Sequence, residues 1–185
     1  MTITATLSAQ SWDPSVLDRA SSIRLLCLDV DGVLTDARLY FDHEGREYKS
    51  FNARDGLGIR LLQKAGIEVA VISGRSSPVV EKRMQSLGIR WCFQGIENKA
   101  SVLPSIEACS GIPREHIAHV GDDLIDLPLM RAVGMAIGVQ DAHPSLSPFL
   151  HYRTRQKGGE GAVREVCDLL IVAHDKMDTI MESYL

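Results

Sequence analysis

The chain has 185 residues, enough for one domain with a proper core, and its 45% hydrophobic and 24% charged residues are ordinary for a soluble globular protein. A formal net charge of −4 argues against a non-specific nucleic-acid binder, which carries a basic stripe. No apolar run nears the roughly 20 residues that span a bilayer, and MTITATLSAQSWDPSVLDRASS lacks the basic start and apolar stretch of a signal peptide, so a cytoplasmic protein with no membrane partner is expected.

Residues 1–22 read as a flexible N-terminal arm and 23–185 as a single domain. Residues 25–29 form the first strand, an apolar run that ends in carboxylates at Asp29, Asp31 and Asp36. Residues 39–51 (LYFDHEGREYKSF) read as a hairpin turning at His43-Glu44-Gly45, with aromatics in both arms. Asp55 can cap a helix carrying Ile59, Leu62 and Ala65, which ends at Gly66.

Residues 68–72 are a β-branched strand running into Ser73-Gly74, and Ser76-Ser77-Pro78 opens another helix. A short strand at 90–93 precedes a helix at 98–109, whose Pro104 demands a kink. Residues 117–120 form a strand entering Gly121-Asp122-Asp123, followed by a helix at 124–133, a strand at 135–139 and an edge strand at 152–154. Val163, Val166, Leu170, Ala173, Met177 and Ile180 trace one helical face toward the C-terminus. Alternating strands and helices predict an α/β fold: a doubly wound, Rossmann-like parallel sheet with helices on both faces and a small β-hairpin insertion after the first strand.

The cysteines at 27, 92, 109 and 167 form no CxxC pair, so free thiols are expected and no zinc site. Cys109 and Arg114 fall one residue short of the thiol-phosphatase spacing, with no His before the Cys. A calcium loop starting at Asp29 fails too, because its glycine is fourth and residue 40 is Tyr.

In open parallel sheets ligands gather at the C-terminal strand ends. Those ends carry Asp29 and Asp31, then Ser73, then Asp122, Asp123 and Asp126, with Lys99 opening the helix after the third strand. Each alone has a bland reading as a cap, a turn residue or a solvated lysine. Together they suit a hard divalent cation and the oxygens of a phosphoryl group. Carboxylates are also competent nucleophiles toward phosphorus.

DVDGVLTD, ISGR, Lys99 and GDDLIDLP resemble the four motifs of the haloacid dehalogenase superfamily. DGVLTD, FNARDGLGI and RTRQKGGEGAVREVCDLLI resemble its small, capless branch of sugar acid phosphate phosphatases. The resemblance implies Mg²⁺-dependent hydrolysis of 3-deoxy-D-manno-octulosonate 8-phosphate, a lipopolysaccharide precursor step, through an aspartyl-phosphate. Asp29 would be the nucleophile and Asp31 the acid and base. Mg²⁺ would be held by Asp29, the Asp31 carbonyl and Asp122, and the phosphoryl oxygens by Ser73 and Lys99. Asp123 and Asp126 would support Lys99 and the metal waters, while Asp36 only shapes the turn into the hairpin.

The resemblance also implies that the 39–51 hairpin assembles a homotetramer, and its Tyr40, Phe41, Tyr48 and Phe51 suit an interface. Arginine suits a substrate carboxylate, which singles out Arg75 beside Ser73, then Arg83 and Arg54. Arg75 favours an eight-carbon over a nine-carbon sugar acid, whose phosphatases tend to carry Glu there. The rival from another class is a phosphoacceptor receiver module, against which Asp31 argues because an acid/base so placed speeds hydrolysis. The loop 157–161 could close over a site or simply begin the last helix.

Overall fold

The computed structural model describes residues 12–185. Among these, six parallel strands pair in the order β5-β4-β1-β6-β7-β8, where β1 is Leu25–Leu28, β4 Glu68–Ile72, β5 Trp91–Phe93, β6 Ile117–Gly121, β7 Met135–Gly138 and β8 Tyr152–Arg153. Strand alternation divides the interior into two cores. Leu26 and Leu28 pack with Val69, Val71 and Val120 on one side, and Leu25 and Cys27 with Ala70, Ile72 and Ile117 on the other. Helices α2 (Ala53–Lys64), α3 (Pro78–Ser86) and α6 (Ala162–Ala173) cover the first core, and α4 (Leu103–Ser110) covers the second. The expected doubly wound sheet is present, with a separate antiparallel hairpin of β2 (Tyr40–Phe41) and β3 (Glu47–Tyr48).

The chain moves from β1 outward through β4 and β5, then returns to lay β6 on the other flank of β1. This reversal opens a crevice beyond the carboxyl ends of β1 and β6, where ligands of such sheets bind. Leu28 lies opposite Val120, and the Asp29 N–H extends the ladder to the Val120 carbonyl at 3.0 Å. Asp29 is thereby fixed at the mouth of the crevice.

Several elements differ from expectation. The arm is not loose along its second half: Asp13 caps α1 (Pro14–Ser21), accepting the Ser15 N–H at 2.8 Å, and α1 packs on α6. Trp12 is buried and donates from Nε1 to the Tyr152 hydroxyl at 3.0 Å. Residues 1–11, the rest of the expected arm, lie outside the described residues.

Pro104 kinks nothing, because the segment is two elements: a 3₁₀ helix at Lys99–Val102 and then α4, with Pro104 in its first turn where no N–H is needed. The 124–133 helix is likewise a 3₁₀ turn at Leu124–Asp126 followed by the short α5 (Leu127–Met130). The C-terminal helical face is broken where Asp175 adopts φ +54°, and α7 (Met177–Glu182) follows.

Asp55 does not cap its own helix. Asn52 does so, and buried Asp55 instead accepts the Arg164 N–H at 2.7 Å, capping α6, whose own N-cap is Gly161. No helix among the described residues is long and apolar enough to cross a membrane.

Candidate active site

The crevice gathers residues from four segments. Lys99, wholly buried, lies 2.6 Å from Asp29 Oδ1 and 2.6 Å from Asp126 Oδ1. Asp126 Oδ1 also accepts from His119 Nε2 at 2.8 Å, while its Oδ2 accepts the N–H groups of Asp122 (3.0 Å) and Asp123 (3.3 Å). A carboxylate offers about four lone-pair sites, so protein donors saturate Asp126. It therefore aims Lys99 and holds the loop after β6, leaving the Asp29 oxygen that Lys99 does not meet and the Asp122 carboxylate for a cation.

The carboxyls of Asp29 and Asp122 both lie above the usual carboxylate range. Burial pushes the Asp29 carboxyl up to about 6, with the Asp126 charge adding to it and Lys99 opposing. Burial, then the charges of Asp29 and Asp126, push Asp122 up to about 8. Asp126 behaves oppositely: burial disfavours its charge, but His119 and Lys99 outweigh that and hold it below the usual carboxylate range. Burial also disfavours the Lys99 ammonium, yet Asp29 and Asp126 hold its pKa above the ordinary value.

Oxygen ligands of Asp29, Asp122 and Asp126 all lie within 4.8 Å of one another. No hydrogen-bond donor among the described residues meets the Asp122 carboxylate. A pair of carboxylates, Asp29 buried and Asp122 half-buried, fits Mg²⁺, which takes one or two carboxylates and fills its shell with water and phosphate oxygens.

The loop after β1 is shaped to admit Asp122. Gly32 has φ +99°, and a Cβ there would fall 2.0 Å from Asp122 Oδ2, so any other residue would strain the backbone and displace the carboxylate. Gly158 holds this loop from the other side: its Cβ would meet the Gly32 carbonyl oxygen at 1.7 Å, and the Gly159 N–H bonds the Val33 carbonyl at 2.9 Å. The 157–161 loop is therefore a backbone buttress for the Asp29–Asp31 turn as well as the lead-in to α6. Asp36 accepts from the Arg38 N–H and the Tyr40 hydroxyl, shaping the entry to the hairpin as expected.

Ser73, 2% exposed, ends β4, where its Oγ accepts the Arg75 N–H at 3.2 Å and keeps its own proton to donate. Asp123 is exposed and caps the turn at Leu124–Asp126, with Oδ1 2.7 Å from the Leu124 N–H; it has no bond to Lys99.

The arginines separate. Arg75 lies near the crevice, but its Nη2 is 2.7 Å from Glu47 Oε1. Arg83 stacks over the Phe51 ring at 5.7 Å and presses on Gly56 of α2. Arg54 lines a groove of about 330 Å³ with Trp12, Arg164 and Glu165. Neither Arg83 nor Arg54 makes a hydrogen bond or ion pair with Asp29, Asp31, Ser73 or Lys99.

Three site residues escaped the sequence reading. Lys49 pairs with Asp31 Oδ1 and lies 3.5 Å from Glu47 Oε1. The signal was the inverted pattern Glu47-Tyr48-Lys49, charged residues alternating with an aromatic in a strand. His119 stood out only as a histidine inside the apolar run of β6, wholly buried.

A carboxylate paired with a buried lysine, an adjoining second carboxylate, a hydroxyl and a carboxylate group suited to a cation meet at this crevice, the arrangement of a hydrolase of the haloacid dehalogenase type. The family model described as haloacid dehalogenase-like hydrolase matches residues 95–166. The 3-deoxy-D-manno-octulosonate 8-phosphate phosphatase KdsC of Escherichia coli K12 is 50% identical over 163 residues, covering 88% of this chain and 87% of that protein.

The Yersinia pestis enzyme of the same name has a crystal structure with TM-score 0.87 at 48% identity, covering 89% of each chain. That of Moraxella catarrhalis, in complex with magnesium ion, phosphate ion and KDO, has TM-score 0.89 at 38% identity, covering 92% of this chain and 98% of that one. The chain belongs to the haloacid dehalogenase-like hydrolases, in the family that these sugar acid phosphate phosphatases form.

Proposed function

We propose that this protein is the Mg²⁺-dependent phosphatase that converts 3-deoxy-D-manno-octulosonate 8-phosphate to the free sugar acid and inorganic phosphate. The observation that carries the reading is Lys99 held at 2.6 Å from Asp29 while Asp29 and Asp122 remain under-neutralised at the β1/β6 crevice. Phosphoryl transfer requires positioning and neutralisation of the phosphoryl oxygens, and this charge set is built for both. The relatives at about half identity supply the substrate class.

In this reading an Asp29 oxygen attacks phosphorus while the bond from phosphorus to the sugar oxygen breaks. Asp31 gives its proton to that oxygen, and Ser73 and Lys99 hold the phosphoryl oxygens. A water then attacks the phosphorus of the aspartyl-phosphate as Asp31 takes its proton, and Asp29 departs as carboxylate with inorganic phosphate released. Mg²⁺, held by the Asp29 and Asp122 carboxylates and the Asp31 carbonyl, supplies positive charge to the phosphoryl group. Arg75, close in sequence to Ser73, would meet the sugar carboxylate by exchanging Glu47 for it.

Phosphate release measured with Mg²⁺ over a panel of sugar phosphates tests this. The eight-carbon acid 8-phosphate should exceed a nine-carbon acid 9-phosphate and glucose 6-phosphate by at least about tenfold in kcat/KM. Comparable rates on all three would refute the substrate assignment, and preference for the nine-carbon acid would transfer it.

The hairpin exposes Leu39, Tyr40, Phe41 and Tyr48, and such a concentration of apolar surface on so short an element suits an interface. A homotetramer joined through this hairpin is the assembly we propose, and a monomer by light scattering would overturn it. The four free cysteines suit the cytoplasm.

A further inference from the structure

We propose that Lys49 is a positioning residue for the proton transfer, holding Asp31 by one oxygen so that the other faces the departing group. This rests on the phosphatase reading above and assigns a role to a residue outside its motifs.

The hairpin carries the argument. Along β3 the side chains alternate: Tyr48 points outward and is 53% exposed, while Glu47 and Lys49 point inward, with side chains 17% and 1% exposed. A strand that shows aromatics to solvent and buries its charges must find partners for those charges inside. They form a chain across the crevice wall: Asp31 with Lys49, Lys49 with Glu47, and Glu47 with Arg75 at 2.7 Å.

Lys49 does not reach the cleft, because its side chain is all but sealed, so it is no ligand of the substrate. Asp31 does face the cleft, with 22% of its side chain exposed. The ammonium occupies Oδ1, and no donor among the described residues meets Oδ2. A carboxyl pinned at one oxygen presents the other in a fixed direction, and that is the oxygen that would carry the proton. Glu47 steadies Lys49 from behind, so the contact is anchored at both ends.

An acid matters in proportion to how poorly the leaving group departs without a proton. A sugar alkoxide requires one, whereas p-nitrophenolate does not. The ratio of kcat/KM between the eight-carbon sugar acid phosphate and p-nitrophenyl phosphate isolates the step in which Asp31 donates. Lys49→Met should lower kcat/KM for the sugar phosphate about 100-fold, with a loss at least tenfold smaller on the aryl ester. Lys49→Arg, which keeps a donor beside Oδ1, should recover much of the ratio.

Equal losses on both substrates in both variants would overturn the assignment, because a phosphate ligand or a general scaffold residue behaves that way. An unchanged ratio in Lys49→Met would overturn it as well. A wild-type protein that releases no phosphate from the sugar substrate defeats the underlying phosphatase reading instead, and the two failures are thereby distinct.

Discussion

At the scale of single residues, the site is organised around Asp126 as much as around Asp29. Asp126 is fully buried and joins Lys99, His119 and two backbone N–H groups. Replacing it by Ala would strand the Lys99 ammonium with Asp29 alone and orphan donors that have no route to water. Breaking such a buried pair costs about 3–5 kcal/mol. Asp126→Ala should therefore lower the unfolding free energy by that amount in a denaturant titration, whereas a change below about 1 kcal/mol would show that Asp126 is not the hub.

At the scale of elements, Asp55 ties two helices together. It sits in the first turn of α2 and accepts the Arg164 N–H at the start of α6, replacing the side chain that Gly161 lacks as N-cap. Loss of a cap costs about 1–2 kcal/mol, so Asp55→Ala should shift the denaturant midpoint down with an unchanged m-value. Burial pushes the Asp55 carboxyl up to about 6, opposed by its hydrogen bonds to the α6 backbone, and Oδ2 has no partner. Asp55→Asn, which keeps the acceptor and removes the charge, should be nearly neutral at pH 7. An equal loss in both variants would contradict the cap.

The strands were the legible elements. An apolar run ending in carboxylates, repeated at Asp29 and Asp122, announces strand ends in a parallel sheet, and Ser73 and Lys99 follow from the same rule. The hairpin's direction was not legible, since whether Glu47 and Lys49 face solvent or crevice depends on how β2 and β3 fold back over the domain. Asp55 acts across more than a hundred residues and meets its partner only once α6 packs on α2, while His119 meets Asp126 only through the fold of the turn after β6. Pro104 marks a helix start rather than a kink, because the 3₁₀ turn before it ends where α4 begins.

At the scale of the molecule, the cation site couples stability to pH. Asp29 and Asp122 have folded pKa values raised from 3.8 to about 6 and about 8, so their contribution to stability is full below about pH 4 and is lost as pH rises through those values. The metal-free protein should therefore lose melting temperature from these groups between pH 5 and pH 9. Mg²⁺ binds the folded state and competes with protons for the same oxygens, so it should raise Tm more at pH 8.5 than at pH 5.5. Each kcal/mol corresponds to about 2–4 °C in a chain of this size. Melting curves with and without Mg²⁺ at the two pH values check this, and an equal Mg²⁺ effect at both would contradict the assignment of Asp29 and Asp122 as ligands.

The central claim is that Asp29 takes the phosphoryl group. Acid quenching during turnover, followed by mass spectrometry of the digested protein, reads it directly. The account predicts a phosphoryl group on the peptide containing Asp29 in the wild-type protein, and neither phosphopeptide nor turnover in Asp29→Asn. Turnover that persists in Asp29→Asn, or a phosphoryl group found on another residue, would contradict it.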